Sequence, residues 1–362
     1  MQAFDSANQF ALDNEVNWTR DPELDPSKYG VHHNDPQPWN TLLGPVYSRG
    51  GVCGVVYVGG KLVSSFGDTH RADQTFSVAK SYLTLLVGKA LELGLIKSID
   101  DTLSSALPGI GFDNPQNTQI TWRHLLSQTS EWEGTCFGIP DQVERFRHVV
   151  LDPKPISGEK GQARELKKPG SYWEYNDVRI NQLSLALLHV YRTNLGEAFK
   201  HYFLQPLGCT DPFTWEGYDN SWVLITDPQS GEAQRLQSVP GGTHWGGGVR
   251  ISANDQAMIG NLLLNKGQVL INGVRKELIN RSFVDSIQTP CPIAPFYGLL
   301  TWLNPGRKTF PGASLSAYFM FGAGGNYVWI DPELDAVIVT RWIDSAHYPT
   351  YTTMIEKAIK AI

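Results

Sequence analysis

The 362 residues, 41% of them hydrophobic and 18% charged, suit one large globular unit of two closely packed subdomains. A formal net charge of −6 without any basic run argues against a nucleic-acid partner, and no apolar stretch reaches the roughly 20 residues that span a bilayer. Four scattered cysteines (Cys53, Cys136, Cys209, Cys291) form no C-x-x-C pair, so neither a zinc knuckle nor a disulfide framework is expected.

Met1-Gln2-Ala3-Phe4-Asp5 lacks the basic and apolar regions of a secretory signal, and a cytoplasmic location is the expectation. Residues 1–45 are rich in Asp, Pro, Asn and Trp, as in Asp21-Pro22, Asp25-Pro26 and Asp35-Pro36, and predict an irregular arm over the body. Residues 52–58 and 62–66 read as strands of a hairpin turned at Gly59-Gly60. A long apolar helix is predicted over 76–96. From 100 to 225 come helical pieces broken by Pro and Gly, among them 121–127, 178–191 and 195–203. An amphipathic helix over 252–264, strands over 326–330 and 336–342, and a closing helix over 352–362 complete the chain. Strands at both ends and helices between them suit a sheet assembled from the two termini. The expected division is an arm (1–45), a sheet subdomain (46–99 with 226–362) and a helical subdomain (100–225).

The first long helix carries the chemistry. Phe76, Val78, Ala79, Tyr82, Leu83, Leu85, Leu86, Val87, Ala90 and Leu91 cover nearly its whole circumference, the mark of a buried helix. Ser77, Lys80, Ser81 and Thr84 nevertheless fall at i, i+3, i+4 and i+7, on one face. A polar stripe on a buried helix needs partners or a cleft. Ser77 at the helix start lies near the positive end of the dipole, and Lys80 can take its proton only when neutral. Burial would push the amine toward that state. Such a serine–lysine pair is a known replacement for the Ser-His-Asp triad. The plainer alternative is a helix start with a snorkelling lysine. Ser157-Gly158-Glu159-Lys160 has the same spacing but sits in a polar loop that would desolvate neither residue.

With Ile120-Thr121-Trp122-Arg123-His124-Leu125-Leu126-Ser127, Tyr175-Asn176-Asp177 and Gly246-Gly247-Gly248-Val249, this pattern resembles the beta-lactamase and penicillin-binding-protein-like serine hydrolases over residues 50–345. The class C-like branch is nearest, with its family VIII carboxylesterases, D-amino-acid peptidases and 6-aminohexanoate-oligomer hydrolases. The resemblance implies an α+β fold, an antiparallel sheet flanked by helices and built from both termini, with an inserted, mostly helical subdomain.

It also implies site roles. The Tyr-x-Asn motif falls on Tyr175-Asn176-Asp177, so Tyr175 relays protons among Ser77, Lys80 and the leaving group. Asp177 stands where the family has asparagine. Either it caps the following helix, or it faces Lys80, holds that lysine charged and leaves Tyr175 as the main base. The third motif, Lys-Thr-Gly or His-x-Gly, falls on Met320-Phe321-Gly322 and loses its cation, which implies weak or absent beta-lactamase activity. Phe321, Gly322 and Gly324 would then border the substrate, with the amides of Ser77 and Ala323 as the oxyanion hole. Trp245 and Trp302 either line an apolar pocket or belong to the core.

No G-x-G-x-x-G, G-x-S-x-G or H-E-x-x-H occurs, so neither a cofactor nor a metal is expected. The resulting expectation is a serine hydrolase that opens a small-molecule ester or amide through a Ser77 acyl-enzyme, without membrane or nucleic-acid partners. The rivals are a beta-lactamase or D,D-peptidase, and a non-catalytic covalent-binding or sensor module.

Overall fold

Segments rich in valine and isoleucine lie at both ends of the chain, and they pair with one another. In the computed structural model, which describes residues 2–149, 151–155, 157–226 and 230–362, β1 (Cys53–Val58) turns through Gly59 and Gly60 into β2 (Lys61–Phe66). Both glycines adopt positive φ, +57° and +72°, which a tight hairpin turn requires. Late in the chain follow β3 (Trp302–Leu303), β4 (Tyr318–Gly322), β5 (Asn326–Asp331) and β6 (Ala336–Arg341). The six form one sheet in the order β3-β4-β5-β6-β1-β2, antiparallel throughout. The two ends of the chain are joined by β1 against β6, in register from Cys53↔Arg341 to Val58↔Ala336.

Alternation along β5 divides the two faces. Tyr327 stacks on Tyr348 of the C-terminal helix α5 (Tyr348–Lys360), ring centroids 3.8 Å apart, and α1 (Gln2–Asp13) packs on α5. On the opposite face, Val328 of β5 and Val337 of β6 meet α4 (Ala253–Leu264) at Gly260. The buried helix α2 (Val78–Glu92) lies beside α4, joined by Gln256 donating to the Tyr82 hydroxyl (3.2 Å). It also packs on α3 (Asp177–Tyr191), the main helix of the middle segment.

The α+β architecture is the expected one; three local features differ. Residues 1–45 are not uniformly irregular, because α1 buries Phe4, Ala7 and Ala11 at helical spacing. The helix expected over 195–203 is an α-turn (Leu195–Phe199) continued as a π-turn (Lys200–Leu204). Two hairpins, Trp222–Thr226 with Ala233–Gln237 and Gln268–Ile271 with Val274–Glu277, have no counterpart in the sequence reading. In each, a short apolar strand (Trp222–Thr226, Gln268–Ile271) pairs with a largely exposed, polar one (Ala233–Gln237, Val274–Glu277) that carries no strand pattern of its own. No helix among the described residues is long and apolar enough to cross a membrane.

Gly260 tests the packing of α4 on the sheet. A Cβ there would lie 2.5 Å from Val337 Cγ1. Gly260→Ala should therefore destabilise by about 1–3 kcal/mol through overpacking, whereas an open helical site would gain about 1 kcal/mol. Urea denaturation midpoints distinguish the two outcomes.

Candidate active site

Phe76 holds a left-handed backbone (φ 52°) immediately before the helix, and Ser77 follows as the N-cap of α2. For a bulky residue this conformation is strained. The Phe76 ring is locked among Trp18, Tyr29 and Trp342, with centroids at 5.4, 6.0 and 6.2 Å. The remaining stripe residues find partners at one backbone segment: Ser81 donates to the Leu300 carbonyl (2.7 Å) and Thr84 to that of Leu299 (3.2 Å). Lys80, one turn beyond Ser77, donates to its Oγ at 2.7 Å.

The two readings of Asp177 are resolved by its neighbour. Asn176 is the N-cap of α3, accepting from the amides of Val178 (3.0 Å) and Arg179 (3.2 Å). The Asp177 carboxylate is thereby free to turn away from the helix and pair with Lys80. It also accepts from Arg147 and faces His244 Nδ1 at 3.0 Å. Arg147 pairs in addition with Glu144; His244 Nε2 reaches Asp35 Oδ2 at 2.7 Å. Lys160 closes the cluster by pairing with Asp35 and, at 2.8 Å, with Glu144.

These charges decide between the two states left open for Lys80. Burial would depress the Lys80 amine, but the charge and hydrogen bond of the Asp177 carboxylate, together with Tyr175, hold the lysine above its ordinary value. Lys80 therefore rests as an ammonium that donates to Ser77. Burial would raise Asp177, but Arg147, Lys80 and His244 hold it well below the usual carboxylate range. Glu144, likewise buried, is drawn down to about 2 by Arg147, His244 and Lys160. His244 is raised against its burial by Glu144, Asp177 and Asp35. Lys160 is corrected: the lysine of the dismissed second S-x-x-K is part-buried inside this cluster.

Tyr175 lies two residues before α3, its ring between two cations: Lys80 Nζ 4.9 Å and Arg147 Cζ 5.1 Å from the centroid. It stacks on Trp302 at 5.5 Å. Ser77, Arg147 and Tyr175 open on a cavity of about 700 Å³ whose other walls include Leu151, Trp302, Phe310 and Phe321. Gly322 and Ala323 line the same cavity. A Cβ on Gly322 would stand 2.0 Å from the Thr75 carbonyl, so only glycine lets β4 lie against the segment before Ser77.

Three expected substrate contacts are not on this cavity. Trp245 is fully buried, donates its Nε1 to the Trp39 carbonyl (2.8 Å) and stacks on His244. Gly324 lies beneath Trp18 and Trp342, where a Cβ would meet their rings at 2.7 and 2.9 Å. Asp177 is buried behind Lys80 as a charge partner. The sequence reading missed Asp35, Glu144, Arg147 and His244, which no short motif links, and also Gly242. A Cβ at Gly242 would lie 3.2 Å from Lys80 Nζ and 3.4 Å from Ser77 Oγ. Asp35, Glu144 and His244 bring potential ligand atoms within 4.8 Å of one another, as a metal site would. The Lys160 ammonium already pairs with both acids of that trio.

The Beta-lactamase family model matches residues 43–342. Among solved structures, the chain is similar to EstCE1, a hydrolase with promiscuous acyltransferase activity (TM-score 0.61, 16% identity, 99% of this chain and 98% of that one). It is similar also to a beta-lactamase from Mycobacterium bovis (TM-score 0.56, 17% identity, 87% and 97%). A third is unliganded simvastatin synthase from Aspergillus terreus (TM-score 0.56, 16% identity, 86% and 93%). No curated protein sequence matches the chain.

Removing the Asp177 charge should expose how much the cluster contributes. Asp177→Asn leaves buried cations uncompensated and should cost about 3–5 kcal/mol in urea unfolding at pH 7. A carboxylate with a depressed pKa stabilises fully above its ordinary range, and this contribution is lost as pH falls through the depressed value. The difference between wild type and variant should therefore narrow in strong acid.

Proposed function

Because the chain belongs to the beta-lactamase family, we propose that it is a serine hydrolase that opens an ester or amide through an acyl-enzyme on Ser77. The observation that carries this reading is the Lys80 ammonium 2.7 Å from Ser77 Oγ at the edge of an apolar cavity. Since Lys80 is held charged, it orients the hydroxyl and stabilises the developing alkoxide, while Tyr175, acting as a phenolate, takes the proton. Ser77 Oγ bonds to the substrate carbonyl carbon. The carbonyl oxygen gathers negative charge between the Ser77 and Ala323 amides. The tetrahedral adduct collapses, the bond to the leaving alcohol or amine breaks, and Tyr175 returns its proton to that group. Water then attacks the acyl ester, giving its proton to Tyr175, and the carboxylic acid leaves as Ser77 is reprotonated.

The walls favour an uncharged, apolar acyl or leaving group, since Trp302, Phe310 and Phe321 dominate them. The one cavity cation named above, Arg147, is already paired with Asp177 and Glu144, and β4 carries Met320 where the family has its cation. A penicillin carboxylate would lack a dedicated partner there. The four cysteines are free, which suits a reducing compartment, and we assign the enzyme to the cytoplasm on that ground.

A fluorophosphonate probe should label the wild type at Ser77 and leave Ser77→Ala unlabelled. On neutral p-nitrophenyl esters Tyr175→Phe should lower kcat by about 10²–10⁴-fold with little change in KM, and nitrocefin should turn over far more slowly. Undiminished ester turnover by Ser77→Ala sinks the reading.

A further inference from the structure

His244 is wholly enclosed, yet each of its ring nitrogens faces a carboxylate. Nδ1 lies 3.0 Å from Asp177 Oδ2, and Nε2 lies 2.7 Å from Asp35 Oδ2. Ionised carboxylates only accept hydrogen bonds, so both nitrogens can be satisfied only if both carry hydrogen. A neutral ring would turn one lone pair against an anion. Neither acid offers a proton instead, because Asp177 is paired with Lys80 and Arg147, and Asp35 with Lys160. The ring is fixed in orientation by Trp245, 4.0 Å away between centroids, which is itself tied to the Trp39 carbonyl.

Charge balance gives this proton a consequence. Asp35, Glu144 and Asp177 are matched by Lys80, Arg147 and Lys160, and the imidazolium stands in excess. The surplus positive charge therefore lies in a buried cluster whose members touch Ser77 Oγ and the Tyr175 ring, where the reaction develops negative charge. Asp35 lies outside the residues matched by the family model, on the segment that follows α1.

We propose that His244 is a positioning residue for the Ser77–Lys80 pair, acting as a buried imidazolium clamped between Asp177 and Asp35. Its hydrogen bond fixes the Asp177 carboxylate, and Asp177 fixes the Lys80 ammonium on the nucleophile. Through Asp35, the N-terminal segment becomes part of the catalytic apparatus. The inference rests on Ser77 being the nucleophile. Charged or titratable groups that face the ring come from every neighbouring element: Asp35 and His32, Glu144 and Arg147, and Asp177. Against burial and Arg147, the three carboxylates hold the ring's proton affinity above its ordinary value. As pH rises through that displaced value the surplus charge is lost, and Ser77 should become less reactive.

The test follows the rate at which a fluorophosphonate labels Ser77, as a function of pH, in wild type, His244→Gln and Asp35→Asn. His244→Gln should label up to about 10²-fold more slowly, as expected for a displaced catalytic pair, and should lose one basic-side descent of the profile. Asp35→Asn, which keeps the ring but removes an anion, should move that descent to lower pH. Wild-type rates and profiles in both variants, with native circular dichroism, overturn the proposal. Should either variant fail to fold, ¹⁵N spectra of the wild-type His244 ring decide: two protonated nitrogens at pH 7.5 support the clamp, and one unprotonated nitrogen overturns it. A wild type that the probe does not label overturns the hydrolase reading instead, while the ¹⁵N spectra still test the clamp.

Discussion

An ammonium group cannot lie in a protein interior beside a neutral hydroxyl unless an anion accompanies it, and the pairing of Lys80 with Asp177 meets that constraint. The pair joins the first turn of α2 to the first turn of α3, so it sets how α2 meets the helical middle of the chain. Its geometry depends on a division of labour at the start of α3. Asn176 satisfies the free amides there, and Asp177, relieved of capping, looks outward to the lysine. Exchange of the two roles would leave Lys80 buried without its anion. Further partners of Asp177 follow from the same constraint, because a carboxylate this deep is retained only when several cations face it.

A charged Lys80 redistributes the chemistry. In the proposed mechanism the amine is not the resting base: it holds Ser77 Oγ and opposes negative charge, and proton transfer falls to Tyr175. The apolar cavity strengthens both effects, since the interaction of an ammonium with a nascent oxyanion grows as water is excluded. Trp302 is central to this exclusion: it stacks on the Tyr175 ring and forms the wall between the phenol and β4.

What could be read from the sequence was whatever local periodicity writes down. Ser77, Lys80, Ser81 and Thr84 appear as a stripe because an α-helix repeats every 3.6 residues, and the stripe has partners at 299–300 as burial requires. The terminal strands are legible from their apolar runs, and the Gly59-Gly60 turn from residues that tolerate positive φ. The charge cluster left no such trace. Asp35 and His244 are 209 residues apart, Lys160 and Asp35 are 125 apart, and each looks locally like a turn or loop residue. Burial of Lys80 was foreseeable, but the sequence left the sign of its pKa shift open between two readings of Asp177, because that sign is set by an anion whose direction only the capping geometry reveals. Trp245 shows the converse: the segment it flanks borders the site in the resembling family, which left it open between pocket wall and core, and its indole is spent on Trp39 and on the His244 ring.

The N-terminal segment, which composition alone presents as a covering arm, supports the site from three directions. Trp18 and Tyr29 hold the ring of Phe76, whose left-handed backbone costs on the order of 1–3 kcal/mol and persists only where its surroundings over-determine it. That strain sets the direction in which the chain enters Ser77, whose backbone is already helical, and begins α2. Val31 adds to the cavity wall, and Asp35 anchors the far side of His244. Loosening of this segment would therefore reach Ser77 twice: through its backbone, by way of the aromatic cluster, and through its Lys80 partner, by way of the ion-pair chain. Ser77, placed by strain, and Lys80, placed by burial, both need an external brace, and here one stretch of chain supplies it.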